Sequence, residues 1–298
     1  MSVLRAGRPA AGTTAIRTTA IRLHPRSALM LGLTSLIGLV GFCWPLVIRP
    51  GAGLEHGLDA PWLFAALLPL LLGVVLAELA EGGMDAKAVA LLGVLAAVCT
   101  ALRPLSTGVA GFTLLFGLLI PAGRVLGPGF GFVLGAVSMF SSALLTGGIG
   151  PWLPFQMLGA AWIGLFAGLL PRRPRGIAEL GMLAAYGAVA GLLYGLLLNM
   201  WFWPFTFGPD ATPGTDPSLA FVPGGAILSN LHRFIAFDLA TSLGFDIPRA
   251  VGNVLLVLVA GRPVLLVLRR AARRAAFDAP VEFAPSTSTE PVSDRVNR

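Results

Sequence analysis

A glycine-rich stretch, GRVLGPGFGFVLG at residues 123–135, is the first place where this sequence could hold a ligand. Glycines before a helix leave backbone N–H groups free to bind phosphate, but dinucleotide-binding loops need the spacing GxGxxG directly after a strand. Gly127, Gly129 and Gly131 do not have that spacing, and no strand is predicted before them. The stretch instead predicts a tight turn between two apolar helices, at which Arg124 reaches lipid headgroups.

Motifs for enzymatic chemistry are missing from the sequence. It contains no GxxxxGK[ST] phosphate loop, no HExxH zinc motif and no GxSxG nucleophile elbow. The histidines stand far apart, and Cys43 and Cys99 belong to no CxxC pair. Acidic residues between positions 78 and 85 lie near Lys87, as at a solvated helix end. We therefore predict a protein that is not an enzyme and that holds no metal or cofactor.

Aromatic and polar residues at one level of the apolar segments are the strongest candidates for binding a small molecule. Five tryptophans fall at corresponding ends of these segments, Trp44, Trp62, Trp152, Trp201 and Trp203. Polar side chains predicted at the same level are Arg103, Ser106, Thr107, Gln156, Asn199 and Asn253. A membrane-interface belt of aromatic residues normally occupies both interfaces. The pattern favours either a one-sided belt or a pocket whose rings stack on a flat ligand.

Small residues recur at spacings of three and four residues and form three stripes. They are Ala86, Ala90, Gly93, Ala97 and Ala101; Ala160, Gly164 and Gly168; and Gly187, Gly191 and Gly195. Such stripes let helix backbones approach closely within a membrane. At least two of them are predicted to pack inside the helix bundle. For the 86–101 face, docking of a partner's helix is the alternative.

Composition places these helices in a membrane. Of the 298 residues, 56% are hydrophobic and 12% are charged, with a mean hydropathy of +0.83. Soluble domains carry about 25% charged residues. The net charge of +7 comes from arginines in short clusters between apolar runs, which is how membrane orientation signals are placed. We therefore predict membrane lipid, and not nucleic acid, as the surroundings of the chain.

Apolar runs long enough to cross about 30 Å of hydrocarbon predict a polytopic, all-α membrane protein. The predicted spans are 28–48, 61–80, 87–102, 108–123, 128–147, 152–170, 178–203 and 247–268. A basic segment, 1–27, precedes them, and 28–48 is longer than the apolar part of a signal peptide. A basic and then disordered tail, 269–298, follows them.

An even number of spans puts both termini on one side of the membrane. With both termini in the cytoplasm, most basic clusters lie inside and only Arg49, Arg103, Arg233 and Arg249 lie outside. We therefore predict a multi-pass protein of the cell membrane. The segment 204–246 is then external, with an interfacial helix in its second half, and it forms either a lid or a connector.

Residues 87–268 resemble the substrate-binding S components of energy-coupling factor (ECF) transporters. The resemblance rests on residues 118–171, LLIPAGRVLGPGFGFVLGAVSMFSSALLTGGIGPWLPFQMLGAAWIGLFAGLLP. This stretch has the G-P turn, the small-residue helix, the W-x-P-F-Q sequence and the glycine-rich helix of that family. The family fold has six helices, so the resemblance implies a six-helix core at 87–268 preceded by two extra transmembrane helices at 28–80.

The resemblance also implies partners and roles for particular residues. In that family a small-residue face docks a membrane-embedded coupling subunit, and the matching positions are Ala86, Ala90, Gly93, Ala97 and Ala101. Vitamins or cofactor precursors bind near the outer surface, where the expected contacts are Arg103, Trp152, Gln156, Asn199, Trp203 and Asn253. Two ATPase subunits drive transport, in agreement with the missing phosphate loop.

The resulting hypothesis is that the chain is a transporter subunit that captures a micronutrient from outside the cell. A corrinoid such as cobalamin is the first guess for that micronutrient. A secondary carrier is one alternative and would require an inverted repeat and ionisable residues at mid-bilayer. An enzyme acting on a lipid or isoprenoid within the membrane is another, and it would require paired carboxylates or a His/Asp set in one cavity. A membrane scaffold without a substrate also fits the composition.

Overall fold

The computed structural model describes residues 25–47, 68–69, 71–73, 75, 86–106, 111–208 and 216–275. These residues form helices and no strand, which confirms the predicted all-helical class. Four of the described helices are long and apolar enough to cross a membrane, and three shorter apolar helices accompany them. Such helices are consistent with a membrane protein, whereas the six-plus-two arrangement stays a prediction.

The described helices overlap seven of the eight predicted spans, with ends that differ by up to seven residues. They are α1 (Pro25–Phe42), α2 (Trp44–Val47), α3 (Ala86–Leu105), α4 (Leu114–Leu126), α5 (Pro128–Thr146), α6 (Leu153–Leu169), α7 (Ile177–Thr206), α8 (Ile227–Thr241) and α9 (Leu243–Ala275), with a 3-10 turn at Pro217–Leu219. Most of the span at 61–80, Trp62, Thr107, the acidic group at 78–85, most of segment 1–27 and most of the tail lie outside the described residues.

Helix α9 is longer than the sequence pattern indicated. It begins at Leu243 and continues to Ala275, whereas the predicted span covered 247–268. Pro248 and Pro263 both lie inside this helix, although proline usually ends or kinks a helix. As a result, Asp246 and Arg249 belong to a bundle helix, and residues 269–275 are helical.

The glycine-rich stretch contains a tight turn between two helices, as predicted, and the turn is a single residue long. Gly127 separates α4 from α5 with a φ of 107°, a value that suits glycine, and Pro128 takes the first position of α5. A Cβ atom on Gly131 would overlap the backbone carbonyl of Gly164, and one on Gly164 would overlap that of Gly131. The glycines therefore bring α5 and α6 into backbone contact, and this antiparallel pair is the most extensive helix contact described.

The third small-residue stripe is also internal, as predicted. Gly187, Gly191 and Gly195 of α7 face Asn253, Ala250 and Asp246 of α9, so these two helices run antiparallel. By contrast, the first stripe on α3, Ala86, Ala90, Gly93, Ala97 and Ala101, is exposed along its whole length. The opposite face of α3, including Leu92, Leu95 and Cys99, packs into the bundle.

Arg124 does not reach lipid headgroups, and that prediction was wrong. Its side chain is buried, its Nε donates to Glu179 Oε1 at 2.9 Å, and its Nη1 donates to the carbonyl of Leu170 at 2.8 Å. Arg269 of α9 donates to both oxygens of Glu179 at 2.7 Å. This triad ties α4, α7 and α9 together, and we call its side of the bundle the Glu179 end and the opposite side the Asn199 end.

Helix α8 and the preceding turn cover the last part of α7 at the Asn199 end. Trp203 is completely buried among Phe221, Phe234 and Phe237, and its Nε1 donates to the carbonyl of Leu219 at 2.8 Å. The side chain of Asn230 bonds to the backbone N–H and carbonyl of Val222. We call residues 216–242 the cap. Its outward residues include apolar side chains, Ile227, Leu228, Ile235 and Leu239, as expected for an interfacial helix.

Candidate functional site

Arg103 and Gln156, two of the residues predicted to contact a ligand, are in direct contact. Arg103 lies near the end of α3, and its Nη2 donates to Oε1 of Gln156, near the start of α6, at 2.9 Å. Its Nη1 donates to Oγ of Ser142 on α5 at 3.3 Å. One side chain therefore joins three helices at the Asn199 end, and α5 is the helix that contacts both α3 and α6.

Tyr194 continues this polar arrangement toward α9. Its ring contacts Phe116 at a centroid distance of 5.1 Å and would collide with any side chain in place of Gly159. The guanidinium group of Arg249 lies 5.5 Å from the ring centroid. The buried tyrosine thus joins the aromatic core at Phe116 to the Arg249 cation of α9.

Arg249 is fixed by a salt bridge within its own helix. Nη1 of Arg249 bonds to Oδ1 of Asp246, three residues earlier, and to the carbonyl of Gly191 at 3.3 Å. Gly195 leaves the space that the Asp246 carboxylate occupies, since a Cβ there would overlap its oxygens. Nε of Arg249 is buried and has no hydrogen-bond partner among the described residues.

Asn253 lies one helical turn beyond Arg249 and is almost completely buried. Its Nδ2 donates to the carbonyl of Gly187 at 2.8 Å, whereas its Oδ1 has no partner in the described part of the chain. Buried acceptors are normally satisfied, so an unpaired amide oxygen marks a place for a further donor. Together with Nε of Arg249, it provides one open acceptor and one open donor.

Asn199 connects α7 to the cap. Its Nδ2 donates to Oδ1 of Asp238 at 2.7 Å and also contacts Oγ of Ser242. Asp238 is buried, and no ion pair to it is found among the described residues. At the opposite edge of the cap, the backbone N–H of Ser218 donates to Asp216 and holds the pKa of that carboxyl below its usual value.

The two predicted tryptophans of the site have different surroundings. Trp203 is enclosed in the aromatic cluster that holds the cap. Trp152 precedes α6, is 43% exposed, and donates from its Nε1 to the carbonyl of Gly148 at 3.2 Å. Of the two, only the Trp152 ring presents surface to its environment.

We call the polar side chains that extend from the Asn199 end to the middle of the bundle, where Asn253 faces Gly187, the polar layer. Its members are Arg103, Ser142, Gln156, Tyr194, Asn199, Asp238, Asp246, Arg249 and Asn253. Four of the six residues predicted to contact a ligand belong to this layer, whose members lie on six helices, α3, α5, α6, α7, α8 and α9. The layer offers hydrogen-bond donors, acceptors and charges of both signs inside an apolar bundle, as a site for a polar organic molecule requires.

Sequence reasoning missed Ser142, Tyr194, Asp238, Asp246 and Arg249 as site residues. Asp246 was assigned to the outer segment and Arg249 to the edge of a span, because the last span was predicted to begin only at residue 247, whereas α9 begins at Leu243. A usable signal was present, since ionisable residues three positions apart at the start of a long apolar helix mark a functional site by default. Among the described residues, no group of His, Cys, Asp and Glu forms a metal site.

Comparison of the chain with protein-family models, curated proteins and solved structures finds no match. The geometry of the described residues therefore carries the functional argument.

Proposed function

We propose that this chain is the substrate-binding membrane subunit of an ATP-driven importer of the ECF type. The observation that carries the proposal is the exposed small-residue face of α3, where Ala86, Ala90, Gly93, Ala97 and Ala101 point away from the bundle. Small residues in a membrane helix allow another helix to approach its backbone closely. A coupling subunit that docks there would bring two ATPase subunits to a chain whose sequence has no phosphate loop.

The polar layer supports a ligand site at the opposite side of the molecule from the Glu179 end. In the proposed orientation both termini are cytoplasmic and the Asn199 end faces outward, as the distribution of basic residues favours. A micronutrient, meaning a vitamin or cofactor precursor and first of all a corrinoid, would then bind from outside beneath the cap. The cap would cover the bound molecule.

Ligand binding by the isolated chain tests this proposal. The full-length chain is purified in mild detergent and titrated calorimetrically with a panel of vitamins that includes cobalamin, riboflavin, thiamin and biotin. Saturable binding of one compound, with no nucleotide hydrolysis by the chain alone, is the expected result. Absence of binding across the panel, or hydrolysis of nucleotide by the lone chain, would contradict the proposal.

A secondary carrier is the second candidate, and the Asp246–Arg249 pair favours it. Secondary carriers place ionisable residues within the membrane bundle, and this pair lies in the long apolar helix α9 with both side chains largely buried. Proteoliposomes that contain the chain alone separate the two proposals. A carrier would accumulate the ligand that binds when an ion gradient is applied, whereas a binding subunit would require its ATPase partners.

A further inference from the structure

The Glu179 end carries a dense group of arginines with almost no acidic residue among them. Glu179 is the one carboxylate in the described part of this end. Arg172, Arg173 and Arg175 lie in the loop between α6 and α7, and Arg270 and Arg273 lie in the last turns of α9; all five side chains are exposed. Such a patch is a binding surface for anions.

Glu179 holds one arginine of this group in a fixed orientation. Nη2 of Arg269 donates to both carboxylate oxygens, yet its side chain is 42% exposed. No hydrogen-bond partner of its Nε or Nη1 is found among the described residues. Because Arg124 also pairs with Glu179, the triad keeps a net positive charge. Arg269 is therefore an oriented cation with donors left over.

The triad also holds the arginine loop beside Arg269. Nη1 of Arg124 bonds to the carbonyl of Leu170 where the loop begins, and Glu179 lies in the first turn of α7 where it ends. Arg172 and Arg173 lie two and three residues after Leu170, and Arg175 lies four residues before Glu179, so the backbone of each is at most about 14 Å from a fixed residue. Arg273, one turn beyond Arg269, extends the same positive surface along α9.

Exposed apolar side chains border this positive surface. Leu169 and Ile177 flank the arginine loop and are 58% and 88% exposed, and Leu266 and Val267 lie one turn before Arg270 on α9 with more than half of their surface exposed. A soluble phosphate would leave this apolar surface in contact with water. A lipid would cover it with acyl chains while its headgroup met the arginines.

We infer that Arg172, Arg173, Arg175, Arg269, Arg270 and Arg273 form a binding site for the headgroup phosphate of an anionic membrane lipid. The planar guanidinium groups match phosphate oxygens in pairs, and the Glu179 triad pre-orients the central arginine. The lipid stabilises the junction of α6, α7 and α9. This inference stands on the charge and apolar surface of the Glu179 end and not on the proposed transport function.

The test is a lipid-binding measurement on the full-length chain in detergent, by native mass spectrometry with dioleoylphosphatidylglycerol and dioleoylphosphatidylcholine. Wild type is expected to prefer the anionic lipid at least about tenfold, with a preference that falls as salt rises. Replacing all three loop arginines, R172Q/R173Q/R175Q, should weaken phosphatidylglycerol binding about a hundredfold, at about fivefold for each charge removed.

Two further variants keep the test decisive. R270Q/R273Q changes exposed helical positions without touching the loop, so it should lower the same preference even if the triple variant folds poorly. Arg233→Gln removes a positive charge from the Asn199 end and should leave the lipid preference unchanged. Equal binding of both lipids by wild type, an unchanged preference in both multiple variants, or complete competition by soluble glycerol phosphate would overturn the inference.

Discussion

At the scale of single residues, the buried carboxylates in the described part of the chain each have different partners. Glu179 is shared by two arginines from different helices, and Asp246 pairs with Arg249 in its own helix. The side chain of Asp238 accepts a hydrogen bond from the Asn199 amide, and no ion pair to it is found among the described residues. Burying a charge in a low-dielectric interior is costly unless it is paired, so these arrangements constrain how the helices can pack.

Glu179→Gln should strongly destabilise the fold, because it leaves Arg124 buried without a carboxylate. Breaking one partner of a buried ion pair typically costs about 3 to 5 kcal/mol. The measurement is thermal or denaturant unfolding of the chain in mild detergent. Arg270→Gln, at an exposed neighbouring position, is the control and should change stability by less than about 0.5 kcal/mol. Equal midpoints for wild type and Glu179→Gln would show that the triad does not hold the helices together.

Removing the polar contacts of Arg103 should weaken ligand binding while the fold is kept. We expect Arg103→Met and Gln156→Leu each to lower the affinity for the ligand identified by calorimetry about tenfold or more. Each variant removes hydrogen-bonding groups of the site, so polar groups of the bound ligand would be left without a partner. Thr206→Val, at the same end but bonded only to its own helix, should leave affinity unchanged. Unaltered affinity in both site variants would remove Arg103 and Gln156 from the site.

The sequence could not predict which side chains these residues contact. Residue types and approximate depth predicted Arg103, Gln156, Asn199 and Asn253 as one level of the bundle. The structure joins Arg103 to Gln156 and Asn199 to Asp238 of the cap. Asn253 instead packs against Gly187, about 18 Å along α7 from Asn199, and is outside that level. Pairings such as Arg124 with Glu179, 55 residues apart, depend on which helices become neighbours. Periodicity along one helix contains no information about that choice.

At the scale of helices, glycine spacing decides which pairs approach most closely. The stripes of α6 and α7 were predictable from the sequence because small residues four positions apart share one helix face. Which of the three stripes would stay uncovered was not predictable, since every stripe has the same local pattern. The structure covers Gly164 with Gly131 and Gly191 with Ala250, and leaves Gly93 with open space around it.

Gly131→Ala should destabilise the pair formed by α5 and α6. The added methyl would overlap the carbonyl of Gly164, so the backbones must separate, at a cost of about 1 to 3 kcal/mol. Gly181→Ala is the matched control, because nothing lies within 4 Å of a Cβ at that position in α7. The control should be neutral or stabilising by up to about 1 kcal/mol through helix propensity. The measurement is the unfolding midpoint of each variant in detergent. Equal shifts of the same sign for Gly131→Ala and Gly181→Ala would contradict the close packing of α5 against α6.

Trp203→Ala should release the cap from α7. The ring is completely buried and its Nε1 bonds to the backbone of Leu219, so truncation opens a large cavity in the aromatic cluster. Such truncations cost about 3 to 5 kcal/mol. Amide hydrogen exchange should rise across residues 217–241 while α5 and α6 stay protected. Trp152→Ala, at an exposed ring, should leave exchange in the cap unchanged; faster exchange throughout the bundle in Trp203→Ala would mean that the cap is no separate unit.

At the scale of the whole molecule, three surfaces differ in charge and in residue size. The Glu179 end is positively charged, the Asn199 end contains the polar layer beneath the cap, and the side formed by α3 exposes a row of small residues. Membrane helices expose lipid-facing surface in general, but large side chains suffice for that purpose. A row without large side chains is suited to a helix from another subunit. The proposed function assigns one role to each surface, namely orientation, capture and coupling.

Docking of a coupling subunit on α3 is the central claim, and co-purification with that subunit tests it most directly. Ala97→Leu puts a large side chain in the middle of the small-residue row, whereas Val98→Leu enlarges an exposed neighbour that points about 100° away around the helix. We predict that the tagged Ala97→Leu chain loses the coupling and ATPase subunits while it still binds ligand, and that Val98→Leu retains all of them. Retention of the complex by Ala97→Leu at the wild-type level would contradict the account.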